Sequence, residues 1–220
     1  MLKLEVKKPR QFISPLLSKK SVTTSDIEKF NKATQSYLSE LEKQRIAKQS
    51  EPNIVSNALK PYFENLSYVA QSYSQKGQSG MDLALMLEHS PCVIIEAKVF
   101  ESPAMITKRD INKKALHEAI LYFMRERHKG NKTLYHVIVT DFYNWFVFDA
   151  KDFETLFWKN KDIKKIFDSV KDPSVLGSRT EDFYAMVSEY IAKMKENLID
   201  NKVIECAYFD LGDKKVTKKT

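Results

Sequence analysis

Three residues carry the strongest chemical signal in this chain: Asp82, and Glu96 with Lys98 two positions beyond it. They stand in two apolar runs, Met81-Asp82-Leu83-Ala84-Leu85 and Cys92-Val93-Ile94-Ile95-Glu96-Ala97-Lys98, separated by a short turn. Side chains alternate along a strand, so Glu96 and Lys98 share one face while Val93, Ile95 and Ala97 take the other. On a run apolar enough to be buried, a charge is expensive unless it meets a partner or a metal. With Asp82 opening the neighbouring antiparallel strand, its carboxylate meets Glu96 at the open end of a hairpin. Paired Asp and Glu oxygens suit Mg²⁺, with Mn²⁺ able to substitute, and leave positions for water and a phosphate oxygen. Such an ion polarises a phosphodiester and acidifies its bound water, and a lysine beside it orients that water or neutralises developing charge. The chemistry expected is hydrolysis of a nucleic-acid backbone. A Glu-x-Lys alone is more often a solvated ion pair. The upstream Asp82, the hairpin and a preceding helix with an acid in its first turn make the set more specific.

That helix acid is Glu51, read as a metal or water ligand beside its simpler role of complementing a helix dipole; Glu64, near the helix end, competes with it. Further along, Lys114, Glu118, Tyr122 and Arg125 fall on one face of a helix whose Ala115, Ala119 and Phe123 can pack on a sheet. Glu118 and Tyr122 can orient Lys98, and Lys114 and Arg125 can serve a DNA phosphate; the plainer reading is an exposed charged face. His89, His117, His128 and His136 show no ligand spacing and are expected to be structural or exposed. The aromatic stretch Phe142 to Phe148 is expected in the core rather than stacked on bases.

These residues need elements to hold them. Thr24 to Gln49 reads as a polar helix capped by Ser25 or Asp26 and docking through Ile27, Phe30, Ala33, Tyr37 and Leu41. A second helix starts near Glu51 and buries Ile54, Val55, Ala58, Leu59 and Phe63, with Pro61 expected to kink or shorten it. Strands are expected at Tyr68 to Tyr73, Asp82 to Glu88 and Cys92 to Phe100, joined by Gln75 to Gly80 and His89 to Pro91. A helix from about Asp110 to His128 and strands at Leu134 to Thr140 and Asn144 to Asp149 follow. Asp152 to Val170 and Thr180 to Ile199 read as amphipathic helices around a break at Asp172 to Ser178, and Val203 to Leu211 as strand or helix. The fold class expected is α/β, with a restriction-endonuclease-like core: a mixed sheet of about five strands flanked by helices, an N-terminal helical arm and C-terminal helices. Residues 1–50 form the basic segment and arm, 51–150 the nuclease core, and 151–220 a helical connector with a lysine-rich tail.

Composition excludes several classes. Only five glycines occur in 220 residues, at 77, 80, 130, 177 and 212, so no glycine-rich phosphate cradle can be drawn. Cys92 and Cys206 lie far apart without Cys or His neighbours at ligand spacing, which speaks against zinc or a disulfide framework and for a reducing, cytoplasmic setting. No run approaches the roughly 18 apolar residues of a membrane span, and Met1 to Arg10 lacks a signal peptide's apolar stretch. The net charge of +7 resides mostly in the ends: residues 1–20 carry six basic residues and one acidic, and residues 211–220 carry four and one. Charged ends are commonly solvated tails, so the overall basicity says little about DNA. The local excess between Glu101 and Lys132, eight basic residues against four acidic, is better placed to meet phosphates.

Taken together, Asp82-Leu83, Ile95-Glu96-Ala97-Lys98 and the helix in front resemble the PD-(D/E)xK nuclease superfamily, with Met81 where a proline usually stands. Glu51-Pro52-Asn53-Ile54-Val55 looks like the first-helix acid motif of Holliday-junction resolvases, and Glu118 to Tyr122 like a QxxxY element with Glu for Gln. Over roughly residues 8–165 the chain is similar to the N-terminal part of type IIG restriction endonuclease–methyltransferases. That likeness runs through Val93 to Lys98, Met105-Ile106, Asn112 to Arg127 and Tyr143 to Ala150. The resemblance implies a Mg²⁺-dependent endonuclease acting on double-stranded DNA, with Asp82 and Glu96 as metal ligands and Lys98 as the catalytic lysine. It also implies an adenine-specific methyltransferase and a target-recognition domain elsewhere in a longer enzyme, since no Asn-Pro-Pro occurs here. The rival readings are a catalytically silent DNA-binding or interaction module and a stand-alone structure-specific nuclease of the resolvase type.

Overall fold

The computed structural model describes residues 2–13, 19, 21–73, 80–170, 180–194 and 202–212. The expected link at 75–79, the break at 172–178, the helix end at 195–199 and the tail at 213–220 lie outside the described residues. The architecture is α/β: a mixed seven-stranded sheet with helices on both faces. Its strands are β1 (Lys3–Lys7), β2 (Val69–Tyr73), β3 (Met81–Leu87), β4 (Ser90–Ala97), β5 (His136–Thr140), β6 (Asn144–Asp149) and β7 (Val203–Asp210). They lie in the order β1-β7-β6-β5-β4-β3-β2, with β1/β7 and β4/β5 parallel and the other pairs antiparallel.

The two strands beyond the expected five are informative. The run Val203 to Leu211, left between strand and helix, is the strand β7, and the supposed basic lead contains β1, paired with it in parallel. Leu2, Leu4 and Val6 alternate with polar residues, the period of a half-buried strand, and Leu2 is only 1% exposed. The lysines between them mask that alternation when the segment is judged by charge. The segments 1–50, 51–150 and 151–220 thus all contribute to one sheet or its covering helices.

On one face, α2 (Thr24–Ile46) and the helix over residues 51–65 cover Leu83, Leu85, Ile95, Ala97, Ile138 and Trp145. Thr23, rather than Ser25, caps α2: its hydroxyl accepts from Asp26 N and Asp26 reciprocates on Thr23 N. Ala33, Tyr37 and Leu41 dock as expected, but Ile27 and Phe30 remain exposed, Phe30 at the wall of an open apolar groove over the sheet. The second helix is interrupted rather than kinked. α3 (Glu51–Ile54) and α4 (Lys60–Asn65) are joined by a π-helical turn at Val55–Leu59, in which Lys60 N reaches back to Val55 O. Pro61 explains it: proline has no N–H for an α-helical bond, and its ring crowds the carbonyl four residues back, so widening the preceding turn makes room.

The short α1 (Pro9–Phe12) lies beside β7 with its Phe12 ring near His136, and on the other face α5 (Lys114–His128), α6 (Ala150–Phe153), α7 (Lys161–Val170) and α8 (Thr180–Lys193) form the main helical layer. The Asp152 to Val170 helix is also broken, by a π-turn at Glu154–Trp158 and a turn at Lys159–Asn160 where Asn160 caps α7 through Asp162 N and Ile163 N. α5 begins at Lys114 rather than Asp110. Residues 107–110 close a side-chain-braced turn, with Asp110 N donating to Thr107 Oγ1 and Asn112 N to Asp110 Oδ1, which competes with helix there. Nor does α5 present an exposed charged face: α8 packs on its outer side, so Tyr122, His117 and Glu126 are buried together with Ala115, Ala119 and Phe123. Phe142, Trp145, Phe146 and Phe148 are core residues.

Candidate active site

The site forms where β3 begins and β4 ends. The hairpin register pairs Leu83 with Ile95 and Leu85 with Val93, so one step further Asp82 stands opposite Glu96 and on its face. There the backbone ladder stops and a side chain replaces it: Asp82 Oδ2 accepts from Ala97 N at 2.8 Å. Lys98 N, just beyond the strand, donates to Thr140 O at 2.8 Å, extending the parallel ladder with β5. The chain end carrying Lys98 is therefore held from both neighbouring strands. Thr140 belongs to a braced turn: its Oγ1 accepts from Phe142 N, and Phe142, at φ +76°, offers its carbonyl to Tyr37 Oη and Trp145 Nε1.

Glu96 is 1% exposed and Lys98 8%. The Lys98 ammonium contacts Glu96 Oε1, lies 2.8 Å from Glu118 Oε2 and 3.5 Å from Glu51 Oε1, and donates to Ala97 O at 3.0 Å. Glu51 stands in the first turn of α3 and uses its other oxygen to accept from Val99 N at 2.8 Å. Glu64, the competing acid, is engaged elsewhere, in an exposed pair with Lys60 at 2.7 Å. Four carboxylates and one ammonium thus converge, drawn from a strand, its hairpin partner and two helices of opposite layers.

The charges perturb one another as their burial demands. Burial pushes the Asp82 carboxyl from 3.8 up to about 7, against the pull of Lys98 and the Ala97 N–H. Glu96 is raised well above the carboxylate range, by burial first and then by Asp82. Burial alone would lower Lys98, but the carboxylates of Glu96, Glu118 and Glu51 outweigh it and hold the ammonium charged. Burial raises the Tyr122 hydroxyl, with Glu96, Glu118 and Asp82 adding to the shift, so this tyrosine lies within the field of the cluster.

The other two α5 residues differ. Lys114 reaches away, 2.7 Å from Glu181 of α8 and over the Tyr184 ring, and Arg125 is half-buried in the field of Tyr122 and Tyr184. His117, expected to be structural or exposed, is structural, and Asn112, which sequence reasoning overlooked, helps it hold α5 in place. His117 is 4% exposed; its Nε2 lies 2.7 Å from Asn112 Oδ1, and Asn112 Nδ2 donates to Ser188 O of α8 at 3.0 Å. Burial pulls this imidazole down to about 4. The available signal was position: His117 adjoins Glu118, and Asn112 ends the segment before the helix.

The donor set is all oxygen, which suits a hard divalent cation. Among the described residues, no three His, Cys, Asp or Glu side chains form a ready-made cation cage. Magnesium, however, is commonly held by one or two carboxylates plus water and substrate phosphate. One observation favours that fit: Glu96 Oε2 and Glu118 Oε2 are both buried with no hydrogen-bond partner, two neighbouring acceptors that a cation or a shared proton would satisfy. Asp82 and Glu96 are the pair that fits. An apolar groove of about 630 Å³ lies apart from this site, lined by Phe30, Phe63, Val93, His136, Trp145 and Phe209 among others.

Fold and site define an α/β protein with a lysine buried among carboxylates at the ends of paired sheet strands. The chain belongs to a family described as a domain of unknown function (DUF7149), whose model matches residues 7–220. No curated protein and no solved structure matches it. No helix among the described residues is long and apolar enough to cross a membrane.

Proposed function

We propose that this chain is the endonuclease portion of a type IIG-like restriction enzyme, a PD-(D/E)xK nuclease that hydrolyses DNA phosphodiesters with a divalent metal. The observation that supports the reading best is the convergence of Asp82, Glu96 and Lys98 at one end of the β3–β4 hairpin, with Glu51 on the same ammonium. In this reading Asp82 and Glu96 hold Mg²⁺ or Mn²⁺, which when bound polarises the scissile phosphate and lowers the pKa of water. Lys98 neutralises charge on the phosphate or orients the attacking water. Glu51 fixes the approach of Lys98 through the Val99 amide, and Glu118 and Tyr122 line its other side. Target-sequence choice, which depends on base-edge contacts, resides in parts of a longer enzyme.

The test is nicking of supercoiled plasmid at high protein concentration with Mg²⁺ or Mn²⁺ against chelator. Metal-dependent nicking that disappears in Asp82→Ala, Glu96→Ala and Lys98→Ala, each still folded by circular dichroism, is the expected result. Retained cleavage by any two of these variants would sink the assignment. A resolvase-type nuclease is favoured instead if branched DNA is cut in preference to plasmid by an obligate dimer.

A further inference from the structure

The same cluster carries a further consequence for how a cation enters. An ammonium has three hydrogens, and four oxygens lie around that of Lys98: Glu96 Oε1, Ala97 O and Glu51 Oε1 at 3.5 Å as hydrogen-bond acceptors, and Glu118 Oε2 at 2.8 Å as an ion-pair partner. It can therefore give up one carboxylate and remain fully engaged. The carboxylate it touches most closely is Glu96, whose other oxygen, Oε2, is buried and unpartnered. A divalent ion bound through Glu96 and an ammonium seated against the same carboxylate repel each other across a few ångströms of buried space, where Coulomb energies are largest. The Lys98 main chain is fixed through its N–H on Thr140 O, so its ammonium moves only by turning its own flexible stem. Glu118 is on a helix fixed through His117, Asn112 and Ser188, which keeps the root of its side chain beside Lys98.

We propose that the Lys98 ammonium and a divalent cation compete for Glu96, and that Glu118 is the positioning residue that retains the ammonium within the site when the cation takes Glu96. This rests on the reading of Asp82 and Glu96 as metal carboxylates. Lys98 then acts as a cationic placeholder for Glu96, and its transfer toward Glu118 and Glu51 accompanies metal entry. Glu118, whose own charge also reaches Glu96 and Asp82, affects metal affinity chiefly through Lys98.

Mn²⁺ binding followed by electron paramagnetic resonance of the free ion tests this without reference to cleavage. Four proteins are compared: native, Lys98→Met, Glu118→Gln and the double variant. Lys98→Met should bind Mn²⁺ more tightly, on the order of tenfold or more, because the competing charge is gone. Glu118→Gln should weaken binding several-fold in the native background and clearly less in the Lys98→Met background, where only its own charge on Glu96 and Asp82 is lost, and this non-additivity reports the action through Lys98. An unchanged affinity in Lys98→Met, or an equal loss from Glu118→Gln in both backgrounds, overturns the proposal while leaving Asp82 and Glu96 as ligands. Absence of Mn²⁺ binding in native protein and in every variant overturns the metal-nuclease reading as well. Should Lys98→Met fail to fold, the native chain labelled with ¹³C at lysine Cε and titrated with Mg²⁺ gives a second route. The Lys98 resonance is expected to move with the same midpoint as metal binding. A resonance that stays in place while Mg²⁺ binds refutes the exchange.

Discussion

Replacing Asp82 by asparagine should make the protein more stable while removing its proposed chemistry. The substitution keeps the shape and, through the amide oxygen, the acceptor for Ala97 N. It removes a carboxylate whose ionisation burial opposes, with the folded pKa raised from 3.8 to about 7. The sign follows from proton linkage. Below pH 3.8 Asp82 is protonated in both states and contributes no difference. Between 3.8 and about 7 the folded state keeps a proton that the unfolded chain has lost, so stability falls as pH rises, at about 1.4 kcal/mol per pH unit. Above about 7 the loss is complete and amounts to roughly 4 kcal/mol, less whatever Lys98 and Glu96 recover by rearranging. Urea unfolding in chelator at pH 4 and pH 8 is the assay. Asp82→Asn and native protein should coincide at pH 4, and the variant should be more stable by a few kcal/mol at pH 8. Comparing the two proteins at each pH cancels His117, whose folded pKa near 4 makes it destabilise the native state as pH falls below 6.5. A variant equal to or less stable than native at pH 8 would show that the Asp82 charge is not strained by burial and refute the reasoning.

Other consequences can be checked on the same material. Glu51→Ala removes the acceptor for Val99 N and a contact to Lys98, and should lower the nicking rate strongly, whereas Glu64→Ala loses only an exposed pair and should leave both the rate and stability, within about 0.5 kcal/mol, unchanged. Equal effects from the two would remove Glu51 from the site. Asn112→Ala orphans His117 Nε2 and frees Ser188 O, and should cost about 1–3 kcal/mol in urea unfolding. Under the proposed function it should also slow nicking through looser placement of Glu118, and an unchanged rate in a measurably destabilised variant would count against that coupling. Deleting residues 1–7 uncovers the β7 edge and loses buried Leu2, so the melting temperature should drop by several degrees; an unchanged value would mean that β1 contributes nothing to the sheet.

Much of this molecule was written in local patterns. Alternation along Cys92 to Lys98 put Glu96 and Lys98 on one face, and antiparallel pairing put Asp82 opposite Glu96, because strand period and register are short-range rules that a linear reading can apply. The apolar stripe of α5 likewise announced which residues meet the sheet, and the buried set Ile54, Val55, Ala58 and Leu59 was legible despite the π-turn that Pro61 imposes. What lay beyond local rules was decided by packing between distant segments. The first residues alternate apolar and polar, but so short a segment becomes a strand only because β7, two hundred residues later, offers its edge. Glu118 and Tyr122 belong to the cluster rather than to an exposed face because α8 closes over α5, and no pattern within residues 114–128 encodes that cover. Choosing Glu51 over Glu64 required knowing which end of one helix meets Lys98. Residue types and spacing determined the chemistry available to this chain, whereas burial, which turns ordinary carboxylates into strained and mutually dependent ones, is a property of the assembled layers.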